Sequence, residues 1–242
     1  DPASPFSWSA RMRIAMNLNR LDKAEEAVAL LSQMAREATD DPAPLVNLGD
    51  IQRGKEDFAG AVESYDGAMA RVERVERRHW SLLYSRGIAL ERSKQWARAE
   101  TDFLKALELE PDQPYVLNYL GYSWVDQGAN LKRATGMIEK AVELRPRDGF
   151  IVDSLGWAYF RLGDYAGAVR ELERAVELRP QDPVINDHLG DAYWMVGRRL
   201  EAQFQWRRAL ALEPEPNIAE AIANKLENGL PASVRANAGG DG

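Results

Sequence analysis

The sequence predicts an all-α fold in which helical hairpins of similar length are stacked one on the next, an α-solenoid. Three related segments carry the pattern: LGYSWVDQG at 120–128, LGWAYFRLG at 155–163 and LGDAYWMVG at 189–197. Setting each hairpin start seven residues before the shared glycine site gives starts at 8, 42, 80, 114, 149 and 183, with spacings of 34, 38, 34, 35 and 34 residues. A period of this length is typical of repeat architectures.

Each hairpin carries a small residue on both of its helices. A mid-helix glycine costs about 1 kcal/mol relative to alanine, so we expect the recurrent glycine to permit close approach of two helices. Large apolar residues of the second helix, such as Leu172 and Trp206, are expected to fill the seam between them. The recurrent glycines are Gly49, Gly87, Gly121, Gly156 and Gly190, and the recurrent alanines are Ala27, Ala61, Ala99, Ala134, Ala168 and Ala202.

Proline, aspartate and glycine mark the ends of the predicted helices. Pro111, Pro146, Pro180 and Pro214 stop the second helix of a hairpin, because proline lacks the N–H and restricts the preceding residue. Asp-Pro pairs at 41–42 and 182–183 are typical of an N-cap followed by proline at the first helical position. Gly128, Gly163 and Gly197 are expected in the tight turns within hairpins.

With these residues the sequence resembles the tetratricopeptide repeat (TPR) family from residue 8 to about 228, most specifically from residue 80 onward. The resemblance implies a right-handed α-solenoid of about six repeats with a C-terminal capping helix. The first repeat has Ala15 in place of the glycine and Thr39 in place of the proline of the third to sixth repeats, and is either an eroded terminal repeat or the remnant of a longer array. The predicted boundaries are 1–7 (linker), 8–41 (degenerate first repeat), 42–79 (second repeat with a helical extension), 80–113, 114–148, 149–182 and 183–216 (third to sixth repeats), 217–230 (capping helix) and 231–242 (disordered tail).

Two segments depart from the regular period. The charged residues 71–80 predict a helical extension, either a solvated overhang or a partner-binding spur. Asn217 and Glu220 have the spacing of a capping box, and an apolar stripe follows them in the capping helix. That stripe comprises Ile218, Ala221, Ile222 and Leu226.

Composition excludes several classes of function. The formal charge of -7 argues against a nucleic-acid partner, and the absence of cysteine removes disulfides and thiol chemistry. No run of 18 apolar residues is available to insert into a membrane. His79 and His188, the only histidines, have no metal-binding spacing, and no nucleophile or phosphate-loop motif occurs. The sequence therefore predicts no enzyme, no cofactor and no metal site.

The resemblance implies that the first helices of the repeats line a concave binding face. In repeats four to six the inward positions combine a row of Asn and Asp with aromatic residues, as at interface hot spots. Core packing is an open alternative for the aromatic residues, Phe160 and Trp194 above all. The candidate partner-binding residues are Asn118, Tyr122, Asp126, Asp153, Trp157, Phe160, Arg161, Asp187, Asp191 and Trp194.

The predicted function is that of a non-catalytic scaffold or adaptor that binds an extended peptide or a partner protein in the concave groove. One version, by analogy with bacterial members of the family, is an adaptor for a periplasmic protease or for the envelope, which presents substrates to carboxyl-terminal processing proteases. We expect such a protein in the periplasm or attached to a membrane by an anchor outside this sequence, in preference to the cytoplasm. The alternatives are a regulatory domain of a larger enzyme such as a glycosyltransferase, and a cytoplasmic scaffold that self-assembles. Homo-oligomerisation through the first repeat is a related expectation, because an uncapped repeat exposes apolar surface.

Overall fold

A computed structural model of the chain describes residues 5–230, which contain thirteen α-helices, one short 3-10 helix and no strand. The prediction of an all-α fold is confirmed. The chain forms two compact units, Asp1–Pro111 and Asp112–Gly242. The predicted disordered tail 231–242, and residues 1–4 of the predicted linker, lie outside the described residues.

The first unit contains three helical hairpins, in which α1 packs on α2, α3 on α4 and α5 on α6. Helix α1 begins at Pro5, so residues 5–7 are helical and the prediction of a linker there was wrong. Its Ala15, at the site that glycine occupies in the later hairpins, is fully buried. The helices are α1 (Pro5–Arg20), α2 (Ala24–Glu37), α3 (Ala43–Gly54), α4 (Phe58–Ala70), α5 (Trp80–Arg92) and α6 (Trp96–Leu109).

The second unit contains three further hairpins and a final single helix. Helix α7 packs on α8, α9 on α10 and α11 on α12, and α13 then packs on α12. The helices are α7 (Pro114–Asp126), α8 (Leu131–Leu144), α9 (Gly149–Leu162), α10 (Tyr165–Leu178), α11 (Pro183–Met195), α12 (Arg199–Ala211) and α13 (Pro216–Asn228).

The recurrent small residues lie where the two helices of a hairpin meet. A Cβ added at Gly156 would stand 2.5 Å from Cγ of Leu172, and one added at Gly190 would stand 2.4 Å from Cδ1 of Trp206. These distances are shorter than any non-bonded carbon contact, so glycine is required for the observed approach. The recurrent alanine of the second helix, Ala168 or Ala202 in these hairpins, is fully buried. The sequence-based explanation of the small residues is confirmed.

The predicted helix ends are also observed. The Asp182 carboxylate accepts hydrogen bonds from the backbone N–H groups of Val184 (3.0 Å) and Ile185 (3.1 Å), and Pro183 is the first residue of α11. Gly163 ends α9 with φ of 83°, in the left-handed region that favours glycine. The proline and glycine signals therefore mark real boundaries.

The charged segment 71–80 is not the helical extension that the sequence suggested. Helix α4 ends at Ala70, and only Arg77–His79 forms a short 3-10 helix. The Arg71 guanidinium explains the break, because it donates hydrogen bonds to the backbone carbonyls of Ala35 (2.9 Å), Ala38 (2.9 Å) and Asp41 (2.8 Å) at the end of α2. The chain is thereby held against α2 instead of continuing as a helix.

The capping helix is present, but the predicted capping box is not. Helix α13 begins at Pro216 after Glu215, whose side chain makes no capping hydrogen bond. Proline at the first helical position has a suitable fixed φ, so the helix starts before Asn217 and places it in the first turn. Ile222 is fully buried against α12, while Ala221 of the predicted stripe is exposed.

Successive hairpins of the second unit are tied by side-chain contacts that repeat after 34 residues. The Tyr159 hydroxyl donates to Glu139 at 2.9 Å, and the Tyr193 hydroxyl donates to Glu173 at 2.7 Å. Arg174 donates to the carbonyl of Pro146, and Arg208 donates to the carbonyl of Pro180. Each contact joins a helix of one hairpin to the hairpin before it, so the junctions on the two sides of the hairpin α9–α10 are chemically alike.

Candidate functional site

The first helices of the three hairpins and the final helix surround a cleft in the second unit. The cleft has a volume of about 550 Å³. Five predicted binding residues line it, and α13 and the two residues after it form the opposite wall. The lining residues are Asp126, Trp157, Phe160, Arg161, Asp191, Ala221, Asn224, Lys225, Gly229 and Leu230.

Trp157 is the main aromatic surface of the cleft. Its indole ring stacks on Phe160, with centroids 4.8 Å apart, and on the imidazole of His188 at 4.3 Å. The Nε1–H of Trp157 is buried and has no hydrogen-bond partner. Phe160, by contrast, is only 1% exposed and packs in the core, so the packing alternative describes it better than a role as an exposed anchor.

Asp153 is not free to bind a partner, because His188 of α11 already binds it. Nδ1 of His188 lies 2.9 Å and 3.2 Å from the two carboxylate oxygens of Asp153, and both side chains are buried. Burial opposes the charged form of His188, but the carboxylates of Asp153, Asp187 and Asp191 together outweigh it and raise the pKa of the imidazole above its ordinary value. The pair is therefore a structural link between α9 and α11.

Asp187 and Asp191 lie one turn apart on α11 and share a single cation. The Lys225 ammonium of α13 donates to both Asp187 oxygens at 2.9 Å and 2.8 Å, and to Oδ2 of Asp191 at 2.8 Å. The other oxygen of Asp191 accepts a hydrogen bond of 2.9 Å from Nε1 of Trp206. Burial raises the pKa of Asp191 to about 6, although the Lys225 ammonium opposes the shift.

Asn118 and Tyr122 lie one turn apart on α7, and both are half-buried. The Oδ1 atom of Asn118 is buried without a hydrogen-bond partner, so an acceptor is available there. Burial, helped by the Asp153 and Asp126 carboxylates, raises the pKa of Tyr122 to about 12. Both residues are therefore neutral polar groups at neutral pH.

Trp194 and Arg161 make contacts within the chain. The Trp194 ring lies 5.3 Å from that of Trp206, and the Arg199 guanidinium lies 3.8 Å above it. A Cβ at Gly229 would meet the Trp194 ring at 2.2 Å, so the chain after α13 passes directly over the indole. Arg161 donates to the Asp126 carbonyl at 3.2 Å. Trp194 is thus covered by the end of the chain, whereas Arg161 lies at the cleft.

Sequence reasoning missed Lys225 and underrated His188. Lys225 lies seven residues after Ile218 and three after Ile222, on the apolar side of α13. A lysine on the apolar side of a helix is rarely buried unless it is paired, so its position predicts a carboxylate on the neighbouring helix. The histidine gave no comparable signal, because its partner lies 35 residues away on a different hairpin.

Two features of the described part of the chain bear on its chemistry and location. Within residues 5–230 no three potential metal ligands are grouped together. None of the helices in that range is both long and apolar enough to cross a membrane. The cleft has an aromatic wall and a set of charged groups.

Two segments match family models, residues 80–113 that of the tetratricopeptide repeat and residues 156–197 that of the TPR repeat. No curated protein sequence matches the chain.

Solved structures show the same fold at low sequence identity. A chain of the APC/C hetero-tetramer Cut9-Hcn1 superposes with a TM-score of 0.77 and 17% identity over 91% of this chain, which spans 42% of that chain's length. A tetratricopeptide repeat protein from Parabacteroides merdae gives a TM-score of 0.68 and 16% identity, covering 92% of this chain and 99% of that one.

A third similar structure is YrrB, described as a TPR protein with an unusual peptide-binding site. It gives a TM-score of 0.58 and 19% identity, covering 80% of this chain and 97% of its own. Repeated glycine–alanine hairpins, two matched family models and neighbours of the same fold agree with one another. Residues 80–113 and 156–197 thus match tetratricopeptide repeats, and the chain has the fold of solved tetratricopeptide repeat proteins.

Proposed function

We propose that this tetratricopeptide repeat scaffold binds an extended segment of a partner protein in the cleft bounded by α7, α9, α11 and α13. Trp157 carries the proposal. It forms a wall of the cleft, and its buried Nε1–H has no partner within the described chain. A buried donor without a partner costs about 1–3 kcal/mol, so a carbonyl that reached it would be bound favourably.

The neighbouring groups suit a peptide backbone. An extended peptide presents N–H and C=O groups in alternation. The buried Nε1–H of Trp157 and, on α7 outside the lining of the cleft, the buried Oδ1 of Asn118 have no partner in the described chain. Aromatic residues such as Trp157 also contribute most to protein interfaces, since they bury a large rigid surface at low entropic cost. The cleft volume of about 550 Å³ lies within the range of ordinary ligand sites.

The similarity to YrrB adds support of a limited kind. That protein is described as having a peptide-binding site, and it shares the fold with this chain. Fold alone does not carry function, so the proposal depends on the residues of the cleft. The narrower role of an adaptor in the bacterial envelope, and the alternative of a regulatory domain of an enzyme, stay predictions from the sequence.

The test is selection of peptides from a random display library on the wild-type protein, followed by measurement of their Kd on variants. Trp157→Phe keeps an aromatic ring to stack on Phe160 and His188 but removes the N–H, and we expect binding to weaken about five-fold. Trp157→Ala removes the wall as well and should weaken binding further. Phe204→Ala, which changes an aromatic residue that is 59% exposed on α12, is the control.

Two results would count against the cleft. One is a set of selected peptides whose Kd is the same for wild type and both Trp157 variants. The other is a loss of binding in Phe204→Ala as large as that in Trp157→Ala, which would move the site to the outer face of α12. Circular dichroism of each variant checks that the helices remain formed.

A further inference from the structure

The Lys225 side chain is bound in the second unit much as a separate ligand would be. Its ammonium makes three hydrogen bonds of 2.8–2.9 Å to the carboxylates of Asp187 and Asp191, which uses the three N–H donors of a lysine. The side chain is 16% exposed, so the contact is not an ordinary surface ion pair. We call the two carboxylates, Asp187 and Asp191, the acidic cradle.

One member of the acidic cradle, Asp191, is held by the fold independently of Lys225. Asp191 is 3% exposed, and the Trp206 indole N–H holds its second oxygen at 2.9 Å. The two carboxylates face one ammonium, so removal of that cation would leave like charges together in a poorly solvated place. His188 is the other cation nearby, but it is engaged by Asp153. The cradle therefore favours a cation, and its three acceptor oxygens match the three N–H donors of an ammonium.

The helix that supplies Lys225 is loosely packed. Of the thirteen residues of α13 only Ile222 is buried, whereas α9 buries nine of its fourteen. No side chain caps the N-terminus of α13. Elements with few buried contacts open at lower free energy than the core, so α13 is the element of this hairpin group most readily displaced.

Both partners of the ion pair reach the cleft. Asp191 and Lys225 each line it, beside Trp157 and opposite Arg161. A segment lying on Trp157 would therefore pass the acidic cradle, and a basic side chain of suitable length on that segment would meet two carboxylates already arranged around an ammonium.

We propose that the acidic cradle is the site for a lysine side chain of the partner segment, and that Lys225 occupies it in cis until the partner displaces it. The inference rests on the proposed function, because it assigns the specificity of the same cleft. Helix α13 then acts as an intramolecular competitor. The apparent affinity for the partner is lowered by the fraction of molecules in which Lys225 is docked.

The first test examines the acidic cradle alone, with n-butylammonium as a mimic of the lysine side chain. Lys225→Ala vacates the cradle, and we expect n-butylammonium chloride to raise its melting temperature more than sodium chloride at the same ionic strength. Wild type, in which Lys225 already occupies the cradle, should not show this difference. An equal response of Lys225→Ala to the two salts would overturn the assignment of the cradle.

The second test uses the peptides selected on the wild-type protein. Lysine-containing peptides should bind Lys225→Met about ten-fold more tightly than wild type, which corresponds to a docked Lys225 in about nine-tenths of wild-type molecules. The same peptides with each lysine acetylated should lose this gain. Asp187→Asn in the Lys225→Met background should also abolish it.

The outcomes separate the two proposals. If peptides bind through Trp157 but neither Lys225→Met nor lysine acetylation changes their Kd, the lysine site is wrong and the peptide cleft stands. If the library yields no peptide whose binding depends on Trp157, the proposed function fails, and the inferred partner lysine fails with it. A response of Lys225→Ala to n-butylammonium would then show only that the acidic cradle accepts an ammonium.

Discussion

Alanine substitutions at two helical glycines of the second unit should change stability in opposite directions. Gly156 lies in α9, where an added Cβ would stand 2.5 Å from Cγ of Leu172 and 3.2 Å from its backbone nitrogen. Gly136 lies within α8, and a Cβ there would meet nothing within 4 Å. The two changes are chemically identical, so the difference between them isolates the packing of the hairpin.

The magnitudes follow from two opposing terms. Alanine is favoured over glycine inside a helix by about 1 kcal/mol, which both variants gain. Overpacking a core contact costs about 1–3 kcal/mol, and a clash that includes backbone cannot be relieved by a change of side-chain rotamer. We expect Gly136→Ala to raise the free energy of unfolding by about 1 kcal/mol and Gly156→Ala, with an overpacking cost of about 2 kcal/mol, to lower it by about 1 kcal/mol.

Urea titration followed by circular dichroism at 222 nm measures both effects. The wild-type midpoint should lie between those of the two variants, because the denaturant midpoint follows stability when the slope is unchanged. A midpoint for Gly156→Ala equal to or above that of Gly136→Ala would refute the reasoning. It would mean that the two helices of this hairpin are not held at the distance that requires glycine.

Two further predictions concern buried charges. In the folded protein the pKa of His188 is raised above 6.5 and that of Asp191 is raised from 3.8 to about 6. Between pH 8 and 5.5 the folded protein therefore binds more protons than the unfolded chain, so its melting temperature should rise as the pH falls over that range. The rise should be smaller in His188→Gln. A wild-type melting temperature that falls on acidification to pH 5.5 would contradict the sign. In the first unit the Arg86 guanidinium holds Asp102 at 2.6 Å and 2.7 Å and Asp66 at 3.0 Å, with Asp102 buried and Asp66 39% exposed. Asp102→Asn should cost about 3 kcal/mol in urea titrations and Asp66→Asn less than about 1 kcal/mol, and equal losses would argue against burial as the cause.

The hairpins could be predicted from sequence because their signals are local and repeated. Gly190 and Trp206 lie sixteen residues apart, and equivalent pairs occur in other hairpins, so the position of each helix relative to its neighbour follows from spacing. The starts of helices could be predicted from local residues in the same way, as at Asp182 before α11. The capping box at Asn217 failed because Pro216 supplies a stronger signal one residue earlier.

The environment of the candidate binding residues was harder to predict, because the burial of each side chain depends on partners in other hairpins. Repeat geometry placed Trp157 and Asp191 on one face, and the structure does bring both to the cleft. The repeat geometry gave no indication that Lys225, 34 residues after Asp191, would pair with the Asp191 carboxylate. Nor could it show that Phe160 points into the core, since a helix such as α9 that contacts four neighbouring helices has little surface left for a groove.

The tyrosine–glutamate and arginine–carbonyl ties between hairpins have a consequence for the growth of the array. Tyr159 donates to Glu139 of the preceding hairpin, and Glu173 accepts from Tyr193 of the following hairpin. The hairpin α9–α10 therefore has the donor of this contact on one side and the acceptor of the same contact on the other. A duplicate of residues 149–182 placed directly after the original would present its own tyrosine to Glu173 and its own glutamate to Tyr193. Such a protein could therefore be lengthened one hairpin at a time by tandem duplication of its gene, with no mutation needed to repair these ties at the new junction.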